Sequence, residues 1–289
     1  MERKQGRGTS LTPLGGKLVW AGQRLEARLG PELQNLSQEL ETEINQLLPS
    51  NPSIIRVHAS DGFAISKLRE LLSCEANLGI DVRYTNLQSS LVSLSQDECD
   101  LAGLWVPRGN LRKSTIAAAK DRLTPNVCRV IGLATREMGL MVKRGNPLGV
   151  VSIEQLLEPG VRFVNRDPDS GTRLLFDRLL AQQGMDGSRI QGYAQVEFTH
   201  AAVAAYVASD MADVSFGVEA AARQFDLDFV PLVTEDYFFI CKKQLLQLEP
   251  MKRVLAVMRS NQFRAAISEL PGYRCKDAGV IKTIRQAFQ

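Results

Sequence analysis

Residues 163–180, FVNRDPDSGTRLLFDRLL, hold the densest set of groups able to grip a ligand. A strand ends near Asn165, the turn Asp167-Pro168-Asp169 follows, and Ser170, Gly171 and Thr172 open an amphipathic helix carrying Leu174, Leu175, Leu179 and Leu180. The first turn of a helix has amides with no partner within the helix, and the helix dipole places positive charge there. Two hydroxyls at the same spot add donors, and the sum is a cradle for an anion. Gly171 lets backbone approach a ligand closely, and Arg166 and Arg173 bring planar donor forks suited to an oxyanion. The competing reading is ordinary capping by Asp169 or Ser170, with both arginines in solvent.

Three further strand-to-helix junctions carry the same chemistry. Ala59-Ser60-Asp61-Gly62 precedes a helix from Phe63, and Asn86-Leu87-Gln88-Ser89-Ser90 precedes one with Leu91 and Leu94. Phe198-Thr199-His200 precedes AAVAAYVAS. In parallel α/β sheets ligands bind beyond the carboxyl ends of strands, where such turns converge. Each junction alone is a plain helix cap; the four together point to one anion site built from helix N-termini.

Catalysis has little support. The chain has no G-x-S-x-G elbow, no GxxxxGK[ST] loop, no GxGxxG and no H-E-x-x-H. Ser170 has no motif-level base. His200 reads as a helix N-terminal donor or a packed residue, and His58 as a structural residue inside a strand. With two histidines in the whole chain, a multi-histidine metal site is not expected. Asp100 and Asp213 each precede an apolar strand and read as turn residues.

The elements that would position these groups alternate. Short β-type runs occur at 54–58, 81–85, 100–106, 128–134, 139–143, 161–164, 193–196, 213–217 and 237–241. Helical stretches lie between most of them, at 63–77, 152–158, 171–183, 200–209 and 250–263. Such alternation predicts an α/β fold with largely parallel sheets. At 289 residues with 44% hydrophobic and 23% charged residues, the chain has ample core material for about two globular units. Five cysteines, Cys74, Cys99, Cys128, Cys241 and Cys275, with no C-x-x-C spacing, read as reduced thiols of a cytosolic protein. No signal-peptide core and no apolar stretch near 18 residues is present, so neither secretion nor membrane insertion is expected.

The net charge of +3 hides a pattern. Residues 1–28 carry Arg3, Lys4, Arg7, Lys17, Arg24 and Arg28 against Glu2 and Glu26, whereas 29–48 carry Glu32, Glu39, Glu41 and Glu43 with no base. In this acidic segment Leu33, Leu36, Leu40, Ile44 and Leu47 recur at three- and four-residue steps and form one helical face, fit either for self-association or for docking on the domain that follows. Gly30-Pro31 predicts a break from the preceding helix, and residues 49–53, PSNPS, predict a linker.

The stretch 54–241 resembles the periplasmic-binding-protein-like (type II) domain of molybdate- and tungstate-related bacterial proteins. FVNRDPDSGTR is similar to the signature shared by tungstate-binding proteins and the sensor domains of LysR/ModE-like regulators. THAAVAAYVASDMADVSFGVEAAA, SLVSLSQDECDLAGLWVP and REMGLMVKRGNPLGVVSIEQLL resemble neighbouring blocks of those domains. RGTSLTPLGGKLVWAGQRLEARL resembles the wing and linker helix of a LysR/ModE-type winged helix-turn-helix. The base-reading helix that precedes it there does not occur in this chain.

The resemblance implies a two-lobed α/β sensor, lobe 1 at about 54–133 and 232–289 and lobe 2 at about 140–228, behind a wing remnant and linker/dimerisation helix at 1–50. It implies an oxyanion, molybdate or tungstate, held by Ser60, Ser89, Ser90, Arg166, Ser170, Gly171, Thr172 and Thr199, with no catalytic residue, metal or cofactor. ASDGFAI stands where the sensors usually have a Ser-His-Asp-type sequence, and LQSS where they have a Gly-Ser or Gly-Thr turn, which weakens the choice of anion more than anion binding itself. The partners implied are the anion, a second copy, and DNA through a helix-turn-helix not complete in this chain, all in the cytoplasm. A solute-binding protein of an oxyanion transporter, or an enzyme acting on a small organic acid, are the alternatives.

Overall fold

Alternating apolar runs become strands and the amphipathic stretches become helices in the computed structural model, which describes residues 2, 3, 9–47, 53–75, 78–120 and 122–288. The chain forms two compact units, one of Met1–Gly30 and Gly139–Leu232 and the other of Pro31–Met138 and Val233–Gln289. They are called the first and the second unit below.

At the N-terminus β1 (Glu2–Arg3) pairs antiparallel with β2 (Thr9–Ser10). Helix α1 (Pro13–Leu47) follows, with the Thr12 hydroxyl accepting the Gly15 amide at 3.0 Å as its cap. The break expected at Gly30-Pro31 does not occur. Proline's fixed φ of about −65° is itself helical, so the helix continues at the expense of one amide hydrogen bond. Residues 4–8 of the expected wing, and all of the expected linker except Ser53, fall outside the described residues.

The leucine face of α1 does not dock. Leu33, Leu36, Leu40 and Ile44 are 60%, 56%, 58% and 49% exposed. A different face does the packing. In the first unit Trp20 lies 5.6 Å from the Phe225 ring, and the guanidiniums of Arg24 and Arg28 lie over Tyr206 and Phe198. In the second unit the Asn35 side chain accepts the Tyr84 amide at 2.9 Å and donates to the Tyr84 carbonyl at 3.3 Å.

The second unit runs on through β3 (Ser53–Ala59), α2 (Phe63–Leu72), β4 (Leu78–Tyr84), α3 (Leu87–Ser95), β5 (Leu101–Pro107) and α4 (Arg112–Lys120). Strand β3 pairs parallel with both β4 and β5. Every second residue of β3, Ile55, Val57 and Ala59, is buried, as the strand period of two requires. The core of this unit gathers Leu91, Leu94, Leu104, Val106, Val130 and Ile240.

Strand β6 (Cys128–Val142) is one continuous strand where two short ones were expected, and twelve of its fifteen residues are buried. In the first unit come β7 (Phe163–Arg166), α5 (Gly171–Gln182), β8 (Val196–Glu197), α6 (His200–Ala208), β9 (Val214–Val218) and α7 (Glu219–Gln224). Strand β7 pairs parallel with β8 and β9, and stacked Phe163, Phe176 and Phe216 fill the core beneath α5. The helix expected at 152–158 is only a single 3-10 turn, Glu154–Leu157.

Strand β10 (Asp228–Lys242) begins nine residues before the run that announced it, and it pairs antiparallel with β5. Gly139 admits it to β6, since a Cβ there would stand 2.8 Å from the Val230 carbonyl carbon. Two helices, α8 (Glu249–Arg259) and α9 (Asn261–Ser268), replace the single stretch expected at 250–263. Ser260 is the reason: its backbone is extended and its hydroxyl accepts the Phe263 amide at 3.0 Å, which ends one helix and caps the next. Strands β11 (Tyr273–Arg274) and β12 (Ile281–Thr283) add antiparallel to β6, and α10 (Ile284–Phe288) closes the described chain.

Candidate functional site

In the first unit, parallel pairing of β7 with β8 sets Arg166 beside Glu197 and brings two strand-to-helix turns together. Asp167 N–H donates to the Glu197 carbonyl at 3.2 Å, and Arg166 Nη2 donates to the Phe198 carbonyl at 2.8 Å. The two helices that start there, α5 and α6, meet at their heads: Thr172 Oγ1 and His200 Nε2 are 3.3 Å apart, and both residues are buried. Asp167 stands 3.7 Å from the Arg166 guanidinium. Burial raises its carboxyl above the usual range, and Arg166 opposes that shift.

Several expected ligand donors prove to be spent on the fold. Ser170 Oγ accepts the Arg173 amide at 3.1 Å and donates to the Asp167 carbonyl at 2.8 Å. It is the α5 cap and its one proton is taken. Thr199 Oγ1 accepts the Ala202 amide at 2.9 Å as the α6 cap. Arg173 is held by Asp177, at 2.9 Å, and by the Arg166 carbonyl, at 3.4 Å, and lies against the Tyr193 ring. Gly171 faces open space: a Cβ there would meet nothing within 4 Å. Arg166, Gly171, Thr172 and the first-turn amides of α5 and α6 other than the capped Arg173 and Ala202 amides stand together at this junction.

In the second unit, parallel pairing of β3 with β4 sets Ala59 beside Tyr84, and Thr85 N–H donates to the Ala59 carbonyl at 2.8 Å. The turns holding Ser60 and Ser89 thus leave the same end of the sheet. Asn86, not a serine, caps α3, accepting the Ser89 amide at 2.9 Å. Ser90 is fully buried and its hydroxyl donates back to the Asn86 carbonyl at 3.0 Å, so its one proton is spent on the fold. Ser89 is exposed and Ser60 half-buried.

Beside the Ser60 turn lies a polar group that sequence reasoning missed. Arg136 and Glu235 form a buried ion pair, with Nη2 and Nε of the guanidinium 2.7 and 2.9 Å from Glu235 Oε2. The Arg136 guanidinium lies 3.5 Å over the Trp105 ring, and Trp105 stacks on Tyr237 at 4.0 Å. Tyr273 sits opposite Arg136 in the β11–β6 ladder. The available signal was Arg136 itself, a cation in the middle of a 15-residue apolar strand.

Asp100 and Asp213 are more than turn residues. Asp100 takes the Arg56 amide and guanidinium, and Asp213 takes the Arg162 amide and guanidinium together with Lys143. All five cysteines are free, and burial pushes the Cys99 and Cys241 thiols up to about 12, which keeps them protonated and unreactive at neutral pH. Among the described residues no group of three or more His, Cys, Asp or Glu is arranged to hold a metal, and no helix is long and apolar enough to cross a membrane.

Two units, each with strand-to-helix turns gathered at one end of its strands, define a binding-protein architecture. Residues 69–259 match the family model of the PBP-like superfamily, described as PBP superfamily domain, and the chain belongs to that superfamily. It is 30% identical over 199 residues to the Bacillus subtilis uncharacterized protein YvgK, across 69% of this chain. The chain spans 64% of that relative's length. Among solved structures, the tungstate ABC transporter protein of Geobacter sulfurreducens superposes with a TM-score of 0.53 at 14% identity, covering 75% of this chain and 98% of that one. An ABC-type phosphate transport receptor from Vibrio cholerae gives 0.53 at 17% identity, covering 76% and 98%. At these identities the likeness establishes the fold, a periplasmic-binding-protein-like α/β fold.

Proposed function

We propose that this protein is a reversible receptor for a small tetrahedral oxyanion, with molybdate and tungstate the preferred candidates, and that it turns nothing over. The observation that carries the proposal is the pairing of the α5 and α6 heads around Thr172 and His200, with Arg166 at the end of the adjoining strand. Amides at two helix N-termini, a hydroxyl and a guanidinium suit an acceptor-only ligand. That structural neighbours are named for tungstate and phosphate supports the same chemistry. Ser170 offers no contrary case for an enzyme, because backbone groups occupy its hydroxyl on both sides and no base adjoins it.

The similarities favour a solute receptor of the kind that serves an ABC transporter. A second reading, the sensing domain of a LysR/ModE-like regulator in the cytoplasm, is favoured by one observation: α1 follows a short hairpin and keeps a row of exposed leucines over a helix about 52 Å long. On that reading the leucine row joins two copies, and DNA is bound through a helix-turn-helix of the whole regulator. Calorimetric titration of folded protein with molybdate, tungstate, phosphate and sulfate tests the shared part, and no heat with any of them would defeat it. Fractionation of the native host separates the two readings, since a transporter receptor belongs outside the cytoplasmic membrane and a regulator inside it.

A further inference from the structure

The second unit has a charged cavity of about 240 Å³ that the oxyanion-receptor reading does not use. Its walls come from the residue after β5, the start of α4, the middle of β6 and β10, the turn between β11 and β12, and α10, all within this unit. Four cations, Arg108, Arg112, Lys276 and Lys282, line it against two carboxylates, Asp236 and Asp277.

Most of these groups are held in place. Asp236 takes both arginines: Arg108 Nε and Nη2 donate to its Oδ1 at 3.0 and 2.7 Å, and Arg112 Nη1 donates to Oδ2 at 3.2 Å. Arg112 Nη2 also donates to the Ala287 carbonyl at 2.6 Å, which ties α4 to α10. Lys282 donates to Asp277 at 2.8 Å. Lys276 is exposed and makes no hydrogen bond or ion pair among the described residues. One carboxylate cannot neutralise two guanidiniums, and Asp277 is already matched by Lys282. The surplus positive charge falls on the cavity, and low-dielectric walls concentrate such a potential.

The walls are fixed as well. Gly132 N–H donates to the Val280 carbonyl at 3.0 Å, and Gly279 N–H donates to the Gly132 carbonyl at 2.9 Å. A Cβ at Gly132 would stand 3.1 Å from the Asp277 carbonyl carbon, so the turn lies directly on β6. The backbone that carries Lys276 and Asp277 is thus clamped to the sheet, and a ligand need not order it. Tyr237 and Phe238 also border the cavity but are only 1% and 7% exposed, so no aromatic face is offered to a nucleobase. A water takes about 30 Å³ in the liquid, and by that measure the cavity has room for two anionic groups joined by a short span.

We propose that this cavity is a second anion site, one for a small non-aromatic polyanion carrying two or more phosphate or carboxylate groups. The Nη1 edge of Arg108, which Asp236 leaves over, meets one group, and the Lys276 ammonium meets another. Arg112 and Lys282, each tied to a carboxylate, supply the field between them. The site stands apart from the oxyanion-receptor reading, whose carrying groups Arg166, Thr172 and His200 belong to the first unit.

The test is calorimetric titration with sodium pyrophosphate, citrate and acetate of the unaltered chain and of Lys276→Gln, Arg108→Gln and Arg166→Ala. Pyrophosphate or citrate should bind at one site per chain, and the one that binds assigns phosphate or carboxylate as the group read. Lys276→Gln and Arg108→Gln should each weaken that binding about tenfold, as loss of a charge-assisted contact does, and Arg166→Ala should not change it. Raising sodium chloride from about 50 to about 300 mM should weaken it too, through screening. Lys276→Gln breaks no ion pair, so its melting temperature without ligand should equal that of the unaltered chain, and a weakened affinity then reports the site. Folded protein that takes neither polyanion would overturn the proposal. So would affinities unchanged in both Lys276→Gln and Arg108→Gln, or acetate binding as tightly as citrate. Binding lost in Arg166→Ala alone would place the polyanion in the first unit, overturning the second site while supporting the receptor reading.

Discussion

The Thr172 hydroxyl stands 3.3 Å from Nε2 of His200, residues 28 positions apart that open two different helices. Each lies inside the first turn of its helix, so the contact fixes the spacing of two sets of unpaired amides. A shift of either helix would separate them and break a buried hydrogen bond. The relation is thus a structural tie between the starts of α5 and α6, the two helices on which the proposed site rests.

Replacing Thr172 by Val keeps the volume and deletes the hydroxyl. Loss of a partner for the buried imidazole should lower stability by about 1–2 kcal/mol, read by urea unfolding. Oxyanion affinity should fall about tenfold, while Thr172→Ser should retain most of it. Calorimetry showing Thr172→Val equal to the unaltered chain would remove the hydroxyl from the site.

Arg166 ends β7 and holds the Phe198 carbonyl at 2.8 Å. Arg166→Ala should weaken oxyanion binding at least tenfold, as expected for loss of a charge-assisted contact of about 1.5–3 kcal/mol. Arg166→Lys should recover little of it, because an ammonium cannot reproduce the planar fork. An unchanged dissociation constant for Arg166→Ala would exclude direct contact.

Asp213 carries a pH prediction. Hydrogen bonds from Arg162, then from Lys143 and the Arg162 amide, hold its carboxyl well below the usual range against the opposing effect of burial. A group whose folded pKa lies below its unfolded value of about 3.9 stabilises the fold above that pH, and the contribution is lost as pH falls through the folded pKa. Stability contributed by Asp213 should therefore be complete above about pH 5 and decline below pH 4. Asp213→Asn should cost about 2–3 kcal/mol at pH 7 and flatten that acid limb. An acid limb of unchanged steepness in the variant would show that other carboxylates set it.

The exposed leucine row bears on the regulator reading. If it joins two copies, Leu36→Glu with Leu40→Glu should convert a dimer to a monomer in sedimentation velocity without lowering the melting temperature of the α/β units. Unaltered protein that stays monomeric at tens of micromolar would leave the solute-receptor reading alone.

Much of this protein is local and was readable from the chain. The period of two along Ile55, Val57 and Ala59 and the Ser-Gly-Thr opening at 170–172 follow from side-chain direction and from capping, which act over a few residues. They were enough for the α/β class and for the position of α5 and α6 to within a residue or two, and they marked the strand-to-helix turns from which the proposed site is built. Gly30-Pro31 misled because a proline's dihedral permits a helix that its missing amide merely weakens. Ser260 was missed as a stop because it lies in an otherwise unbroken amphipathic pattern.

What only the tertiary structure decided is which polar groups are spent and which remain. A serine at a helix start reads the same whether its proton goes to a ligand or, as for Ser90 and Ser170, to a backbone carbonyl three or four residues back. Arg136 and Glu235 are 99 residues apart, and Tyr273 meets Arg136 only through a strand added from near the end of the chain. Periodicity tells which face of its own element a side chain occupies. A hydrogen-bond partner is set by distance and direction in space, and here those come from β10 and β11 pairing with strands that the chain laid down about a hundred residues earlier or more.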